Sequence, residues 1–240
     1  MRPGGAAGSA VAAVGLADAL PSVAAARWVR LAVAPRLAGV GRPDHVALTV
    51  DDGPDPRSTP AWLEALAGLD VRATFFLLGE RLARHPGLGT RLVDSGHEVA
   101  VHGWRHRPHL VTTPLAVAAD LRRALACIRE VTGATPRFWR PPHGIPTTTG
   151  LLTAHRAGLQ PVLWTADGRD WATSADGASV AHRIARQLQG GGVVLLHDGA
   201  GPDGHSTAAL AALPDIIATA RRHDLVTGPL GDHGIRRPSR

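Results

Sequence analysis

Short apolar runs typical of β-strands alternate with helical patterns from His45 onward, and this alternation limits the folds open to the chain. The runs are HVALTV, ATFFLLG, EVAVHG, FWRPP, PVLWTA, GVVLLHD and DLVTGPL. Between them lie PAWLEALAGL, PLAVAADLRRALACIREVTG and SVAHRIARQLQGGG, in which apolar residues stand three and four apart and Gly follows near the end. Because repeated strand and helix units pair their strands in parallel, the sequence predicts an α/β fold with helices outside a sheet that is either open or barrel-shaped.

Length and composition limit the number of domains and the kinds of partner that we expect for this chain. The 240 residues suffice for one sizeable core, so we expect a single domain with an N-terminal extension. The net charge of +6 comes from scattered arginines, since the sequence has no Lys, and only 4% of residues are aromatic. This composition argues against a nucleic-acid partner, while charge alone leaves an anionic polymer open. Cys127 is the only cysteine, which excludes an internal disulfide and a thiolate zinc cluster.

The N-terminal extension carries two features that bear on location. Arg2, the apolar run from Ala6 to Leu16 and the small residues after it follow the order of a signal peptide. Because Asp18 and Pro21 interrupt the stretch, a disordered or loosely helical leader is the alternative. The segment ARWVRLAVAPRLAGV then predicts a short amphipathic helix, lying either on a membrane surface or on the domain itself. We expect a protein of the cell envelope or a secreted one, with peripheral membrane or cell-wall association, in preference to the alternative of a cytoplasmic protein.

Chemically active side chains recur where the strand-like runs end. They are Asp51 and Asp52 after the first run, His102 and His106 after the third, Arg140 after the fourth, Asp167 and Asp170 after the fifth, and His197 at the sixth. The carboxyl ends of parallel strands converge on one mouth of a barrel, so these groups are expected to lie together.

The pair Asp51 and Asp52 and the pair His102 and His106 together suggest a metal site. A metal held by two His and one Asp keeps open positions for water and a carbonyl oxygen, which predicts hydrolysis with the other Asp as base. Adjacent strand residues point to opposite sides, so either Asp51 or Asp52 could be the ligand. The spacing of His102 and His106 places both imidazoles on one face if the segment turns helically. A non-haem iron oxygenase uses the same ligand types, but such sites sit on antiparallel frameworks, unlike this alternating pattern.

Five segments resemble the motifs of a known family. TVDDGP, HGWRH, FWRPPHG, WTADGRDW and LLHD, in this order, are similar to those of the NodB-type polysaccharide deacetylases, carbohydrate esterase family 4. The resemblance implies an α/β fold, a distorted (β/α) barrel with six or seven parallel strands. It spans roughly Pro43 to Leu230, which implies a catalytic domain over 43–230, an N-terminal extension over 1–42 and a C-terminal tail over 231–240.

The resemblance also implies a role for each matching residue. The catalytic residues would be the base Asp51, the Arg140 that holds it, the general acid His197 and its partner Asp170. The metal ligands would be Asp52, His102 and His106. The backbone N–H of His143 would bind the oxyanion. The substrate pocket would be formed by Pro141, Trp164, Trp171 and Leu195.

The implied activity is metal-dependent removal of acetyl groups from an N-acetylated amino-sugar polymer of the chitin oligosaccharide or peptidoglycan type. One divalent metal ion is expected, zinc first, with cobalt or nickel as alternatives, in a monomeric enzyme. The alternatives are deacetylation of O-acetylated xylan and a non-catalytic carbohydrate-binding descendant. Three positions depart from the family pattern: Val50 stands where Phe is common, Gly103 where Ser or Thr is usual, and His143 where Tyr is usual. We expect the first to alter packing only, the second to remove a loop-stabilising hydrogen bond and the third to alter substrate fit.

Overall fold

The computed structural model describes residues 15, 17–199 and 207–235. The strands are β1 His45–Asp51, β2 Thr74–Leu78, β3 Glu98–Gly103, β4 Phe138–Trp139, β5 Gln160–Pro161, β6 Ala166–Asp167, β7 Val193–His197 and β8 Val226–Gly228. The α-helices are α1 Arg27–Val33, α2 Thr59–Gly68, α3 Gly79–Arg84, α4 Pro86–Asp94, α5 Pro114–Thr132, α6 Thr148–Arg156, α7 Gly177–Ala185 and α8 Thr207–Arg222. Short 3-10 helices cover Leu20–Ala25, His109–Val111, Pro142–Gly144 and Leu230–Asp232.

The described strands form one parallel sheet. Its order is β5-β4-β3-β2-β1-β7-β6, and the short β8 pairs with β1. Along β1, β8 pairs with residues 45–47, β7 with residues 47–51 and β2 with residues 49–51. The predicted α/β fold with six or seven parallel strands is confirmed by the seven strands of this curled path.

One predicted strand, PVLWTA, was wrong, and the path of this segment in the structure nearly closes the barrel. The run PVLWTA is not a single strand: its two ends belong to β5 and β6, at opposite ends of the sheet order. The Val162 N–H donates to the Trp139 carbonyl at 2.9 Å, and the Thr165 N–H donates to the Val193 carbonyl at 3.0 Å. Residues 162–165 thus cross the gap between the sheet edges. The carbonyl of Val162 accepts a hydrogen bond from Arg140 in this crossing instead of a bond from a neighbouring strand.

The predicted helices agree with the structure except at one end. The patterns beginning at Pro60 and Pro114 form α2 and α5, and α5 ends at Gly133, whose φ of 67° provides the left-handed cap. The third pattern stops earlier than expected, because α7 ends at Ala185. Beyond it the side chain of Gln187 donates to the Arg183 carbonyl, which closes the last turn.

Strand alternation divides the buried residues into two layers. Leu48 and Val50 of β1 pack against the outer helices, whereas Ala47 belongs to a smaller cluster inside the barrel. Thr49 and Asp51 share the inner side with Ala47, because side chains two apart on a strand face the same way. The alternation therefore points the polar side chains at the end of β1 toward the inside of the barrel, at its mouth.

The described part of the N-terminal extension packs on the domain. α1 confirms the predicted short helix, and Arg30 is 1% exposed with its Nε donating to the Trp164 carbonyl at 2.9 Å. Arg27 Nε donates to the neighbouring Thr165 carbonyl at 2.7 Å. The predicted signal-like run from Ala6 to Leu16 lies, apart from Gly15, outside the described residues. Within the described part of the chain, every helix is too short or too polar to cross a membrane.

The start of the predicted C-terminal tail is also packed on the domain. His233 is buried, and its Nδ1 lies 2.8 Å from Nδ1 of His45 at the start of β1. Residues 231–235 therefore sit against the end of the barrel opposite the carboxyl ends of the strands.

Candidate active site

A cavity of about 380 Å³ opens at the carboxyl ends of the strands. The predicted residues that line it are Asp51, Asp52, His102, His106, His143, Trp164, Trp171, Leu195 and His197. Gly144 and Asp167 complete the lining. Arg140 and Asp170 are buried behind it, and each contacts a lining residue. Pro141 is buried but is not part of the lining.

The two adjacent aspartates both reach the cavity because the strand ends between them. β1 stops at Asp51, and Asp52 takes a left-handed conformation with φ of 75°. This turn removes the strand alternation that would otherwise point the two carboxylates apart. Asp52 Oδ1 lies 3.3 Å from His102 Nε2 and 3.4 Å from His106 Nε2, whereas Asp51 Oδ1 lies 2.6 Å from a nitrogen of Arg140.

Asp52, His102 and His106 could hold a metal ion. One ligand atom from each lies within 4.8 Å of the others. Asp52 Oδ1 is buried with no hydrogen-bond partner in the described structure, although such an atom normally has one. His102 Nδ1 faces the Arg140 carbonyl at 2.9 Å, which leaves Nε2 directed at the carboxylate. Two imidazole nitrogens and one carboxylate oxygen fit a divalent transition metal.

The charges around this group also favour a cation. Burial would lower the pKa of His102, but the carboxylates of Asp51 and Asp52 raise it overall. Burial would raise the pKa of Asp52, but the adjacent imidazole of His102 and the nearby imidazoles of His106 and His197 hold it well below its usual range. Burial lowers the pKa of His106 to about 3, so that imidazole is neutral at physiological pH and its lone pair is available.

His106 reaches the site by a loop, so its approach to His102 does not depend on a helical turn. β3 ends at Gly103, whose φ is 111°, and the chain then bends. Asp120 on α5 accepts hydrogen bonds from the backbone N–H groups of Trp104 at 2.6 Å and Arg105 at 3.3 Å. A Cβ at position 103 would lie 2.9 Å from Asp120 Oδ2. Gly103 therefore makes room for the Asp120 carboxylate that anchors this loop.

Arg140 holds Asp51 in a fully buried set of hydrogen bonds. Its side chain is 0% exposed and donates to Asp51 Oδ1 at 2.6 Å and to Thr49 Oγ1 at 2.9 Å. Its other nitrogens donate to the carbonyls of Val162 at 3.1 Å and Leu163 at 2.7 Å. The crossing segment thus fixes the guanidinium, and the guanidinium fixes the carboxylate.

His197 faces the cavity from β7. Its Nδ1 lies 2.8 Å from Asp170 Oδ1, and its backbone N–H donates to Asp170 Oδ2 at 2.9 Å. Burial alone would lower the pKa of His197, but Asp170, Asp52 and Asp51 raise it to about 9. The imidazole is therefore protonated near neutral pH, with Nε2 left to act on a ligand.

The segment after β4 forms the adjoining wall. His143 has a left-handed φ of 58°, and its ring centroid lies 4.2 Å from that of His106. At Gly144, φ is 64° and an added Cβ would lie 2.2 Å from the Trp164 ring, so only glycine fits here. The exposed Trp171 and the half-buried Trp164 provide the aromatic lining.

Several residues of the site were not assigned a role from the sequence. Thr49 shares Arg140 with Asp51, and its position two residues earlier on the same strand face was a usable signal. Asp167 lines the cavity, and burial raises the pKa of its carboxyl group. Asp120 lies far along the chain from the loop it anchors, so no local pattern indicates it.

Comparisons with known proteins give the family. The family model for polysaccharide deacetylase matches residues 38–162. The chain is 41% identical over 158 residues to a chitooligosaccharide deacetylase of Bradyrhizobium sp., covering 65% of this chain and 72% of that protein. It is 34% identical over 174 residues to a peptidoglycan-N-acetylglucosamine deacetylase of Bacillus cereus, covering 71% and 81%.

A solved structure agrees with these sequence matches. The family 4 carbohydrate esterase from Streptomyces lividans, determined in complex with acetate, superposes with a TM-score of 0.71 and 30% identity. The match covers 82% of this chain and 98% of that one. The predictions of family and of an enzyme are thereby confirmed. The family model matches more than half of the chain, and the two deacetylases named above are at least 34% identical to it. The chain therefore belongs to the polysaccharide deacetylase family.

Proposed function

We propose that the protein hydrolyses the N-acetyl groups of an amino-sugar polymer, of the chitin oligosaccharide or peptidoglycan type. The observation that carries this proposal is that a carboxylate base, a possible metal site and a protonated histidine share one cavity. Asp51, held by Arg140, faces the Asp52–His102–His106 group, and the protonated His197 lies on the adjoining strand. The relatives named above for chitooligosaccharide and for peptidoglycan N-acetylglucosamine support this substrate class.

Asp52, His102 and His106 would hold one divalent ion, for which we propose zinc because two nitrogens and one oxygen suit it; cobalt and nickel are the alternatives. When bound, such an ion acidifies a water molecule and polarises the acetyl carbonyl oxygen.

The remaining residues supply base, acid and oxyanion contact. Asp51 accepts a proton from the attacking water, and the hydrogen bond from Arg140 keeps its carboxylate oriented. The water oxygen bonds to the acetyl carbon, and the His143 backbone N–H donates a hydrogen bond to the carbonyl oxygen as negative charge builds there. The carbon–nitrogen bond then breaks while His197 Nε2 gives its proton to the departing amine. The products are acetate and a free amino sugar.

The cavity walls select the small acetyl group. Trp164, Trp171 and Leu195 enclose the space beside His197, and their apolar surfaces suit a methyl group. Because a peptidoglycan-type substrate belongs to the cell envelope, we place the protein there or outside the cell. Cell fractionation with an antibody against the full chain tests this location.

The test of the function is acetate release. Purified protein is incubated with chitopentaose, peptidoglycan and acetylated xylan, before and after treatment with a chelator and after addition of Zn²⁺, Co²⁺ or Ni²⁺. We expect release from one of the first two substrates, abolished by the chelator and restored by metal. His102→Ala should lose both activity and bound metal, whereas His155→Ala, an exposed histidine on α6, should keep both.

Two results would contradict the proposal. Release from acetylated xylan alone would replace the amide substrate with an ester. Binding of chitopentaose without acetate release, equal in the wild type and in Asp51→Asn, would identify a carbohydrate-binding protein instead of an enzyme.

A further inference from the structure

A second cavity lies away from the catalytic residues, between α1 and α7. Its volume is about 510 Å³. The residues that line it are Arg27, Ser179, His182, Arg183, Arg186 and Gln187. Asp and Glu are both missing from this lining, although the chain has 20 acidic residues. Among the described residues, the cavity is therefore lined by cationic and neutral groups only.

The helical repeat places these groups on one side of α7. Ser179, His182, Arg183 and Arg186 are spaced three and four apart, so they form a single stripe along the helix and its last turn. Arg27 faces this stripe from α1. Its Nε is bound to the Thr165 carbonyl at 2.7 Å, which fixes the direction of the guanidinium.

The neutral polar groups of the cavity are already used by the protein. The Ser179 hydroxyl belongs to the capping box of Asp176. The Gln187 side chain donates to the carbonyls of Asp167 and Arg183 and accepts from the Asp167 N–H. Neither side chain is left to recognise a ligand by itself.

The cationic groups, in contrast, have no carboxylate partner in the structure as described. The salt bridges of residues 17–199 and 207–235 include none from Arg27, Arg183 or Arg186. Guanidinium groups gathered around one concave surface repel one another, and an anion inside it would relieve that repulsion. Their planar N–H groups match the oxygens of a phosphate or a similar anion.

We propose that this cavity is a binding site for a phosphate-type oxyanion. The ligand is recognised by Arg183 and Arg186 together with Arg27, and it takes no part in acetyl hydrolysis. The site adjoins the catalytic cavity across β6, since Gln187 holds the backbone of Asp167, which lines that cavity. The phosphate group can come from a soluble ion or polymer, or from a lipid headgroup at a membrane surface.

Calorimetric titration of the full chain with inorganic phosphate at low ionic strength tests the site. We expect saturable binding by the wild type and binding weaker by roughly tenfold or more in the Arg183→Gln/Arg186→Gln double variant. The matched control is Arg122→Gln/Arg129→Gln, which removes the same charge from exposed positions on α5. That control should bind like the wild type, and all three proteins should release acetate equally.

A sedimentation arm distinguishes the two sources of phosphate. A lipid headgroup is indicated if the wild type and the control cosediment with phosphatidylglycerol vesicles but the Arg183→Gln/Arg186→Gln protein does not. In that case none of the three proteins should cosediment with phosphatidylcholine vesicles. A soluble ligand is indicated if phosphate binds as expected and the vesicles do not separate the variants. The proposal is overturned if phosphate binding does not saturate, or if both double variants weaken it equally.

Discussion

His197 Nδ1 lies 2.8 Å from Asp170 Oδ1, and the same carboxylate accepts the backbone N–H of His197. The carboxylate therefore fixes both the position of the histidine and its charge. Burial would by itself favour a neutral imidazole, and Asp170 is the largest of the influences that oppose it and bring the pKa to about 9.

Replacing this carboxylate should move the alkaline limit of activity. A general acid works only while protonated, so wild-type turnover should fall as pH rises through about 9. In Asp170→Asn burial dominates, the pKa of His197 falls, and the alkaline limb moves to lower pH. At pH 8 we expect kcat to drop by roughly 10²-fold or more. The measurement is kcat as a function of pH, with Asp215→Asn as an exposed control. An unchanged alkaline limb in Asp170→Asn would remove His197 from the role of acid.

The ion pair of Asp51 and Arg140 gives a second prediction. Both side chains are buried, so Arg140→Gln leaves the Asp51 carboxylate without its guanidinium partner. Loss of one partner of a buried pair costs about 3–5 kcal/mol of unfolding free energy. Urea unfolding measures this loss, and acetate release should vanish with it.

Arg140→Lys separates charge from geometry in the same pair. Lysine keeps the positive charge but cannot donate at once to Asp51 and to the carbonyls of Val162 and Leu163. We expect it to recover part of the stability and little of the activity. If the lysine variant is fully active, the orientation of Asp51 does not depend on the guanidinium.

The sequence predicted the parts of this fold that depend on local patterns. The alternation of runs located the strands, and their ends located Asp51, His102 and His197. Which aspartate faces the histidines could not be derived from strand alternation, because it depends on the left-handed turn at Asp52. The sequence also did not show that PVLWTA is divided between β5 and β6, because this division follows from the closure of the barrel and from bonds to the distant Arg140.

The loop that carries His106 supplies a third prediction. Asp120 binds the backbone N–H groups of Trp104 and Arg105, and Gly103 leaves space for its carboxylate. In Asp120→Ala these N–H groups lose their acceptor, the loop loosens and the position of His106 is less well fixed. Loss of such supporting contacts typically lowers metal affinity by roughly 10–100-fold.

Metal content and competition with a chromogenic chelator measure that affinity. Asp94→Ala, at the end of α4, is a control that removes an acid elsewhere. Excess metal should restore much of the activity of Asp120→Ala, because the ligands themselves are intact. Wild-type metal affinity in this variant would show that the loop holds its shape without Asp120.

Asp198 gives a prediction about stability and pH. The residue is fully buried beneath the DDGP turn, where the hydroxyls of Ser58 and Thr59 donate to its carboxylate. Burial raises its pKa to about 6, above the 3.8 of an exposed carboxyl group. The folded state therefore binds the proton more tightly than the unfolded state, so this contribution to stability is complete below about pH 4 and is lost as pH rises through about 6.

Between pH 5 and pH 8 the wild type should lose about 1 kcal/mol more unfolding free energy than Asp198→Asn, which has no charge to bury at either pH. Urea unfolding of both proteins at the two pH values measures this difference, and other titrating groups cancel in the comparison. Asp215→Asn, exposed on α8, should follow the wild type. Equal pH dependence in the wild type and Asp198→Asn would mean that the hydroxyls of Ser58 and Thr59 fully offset the burial of the charge.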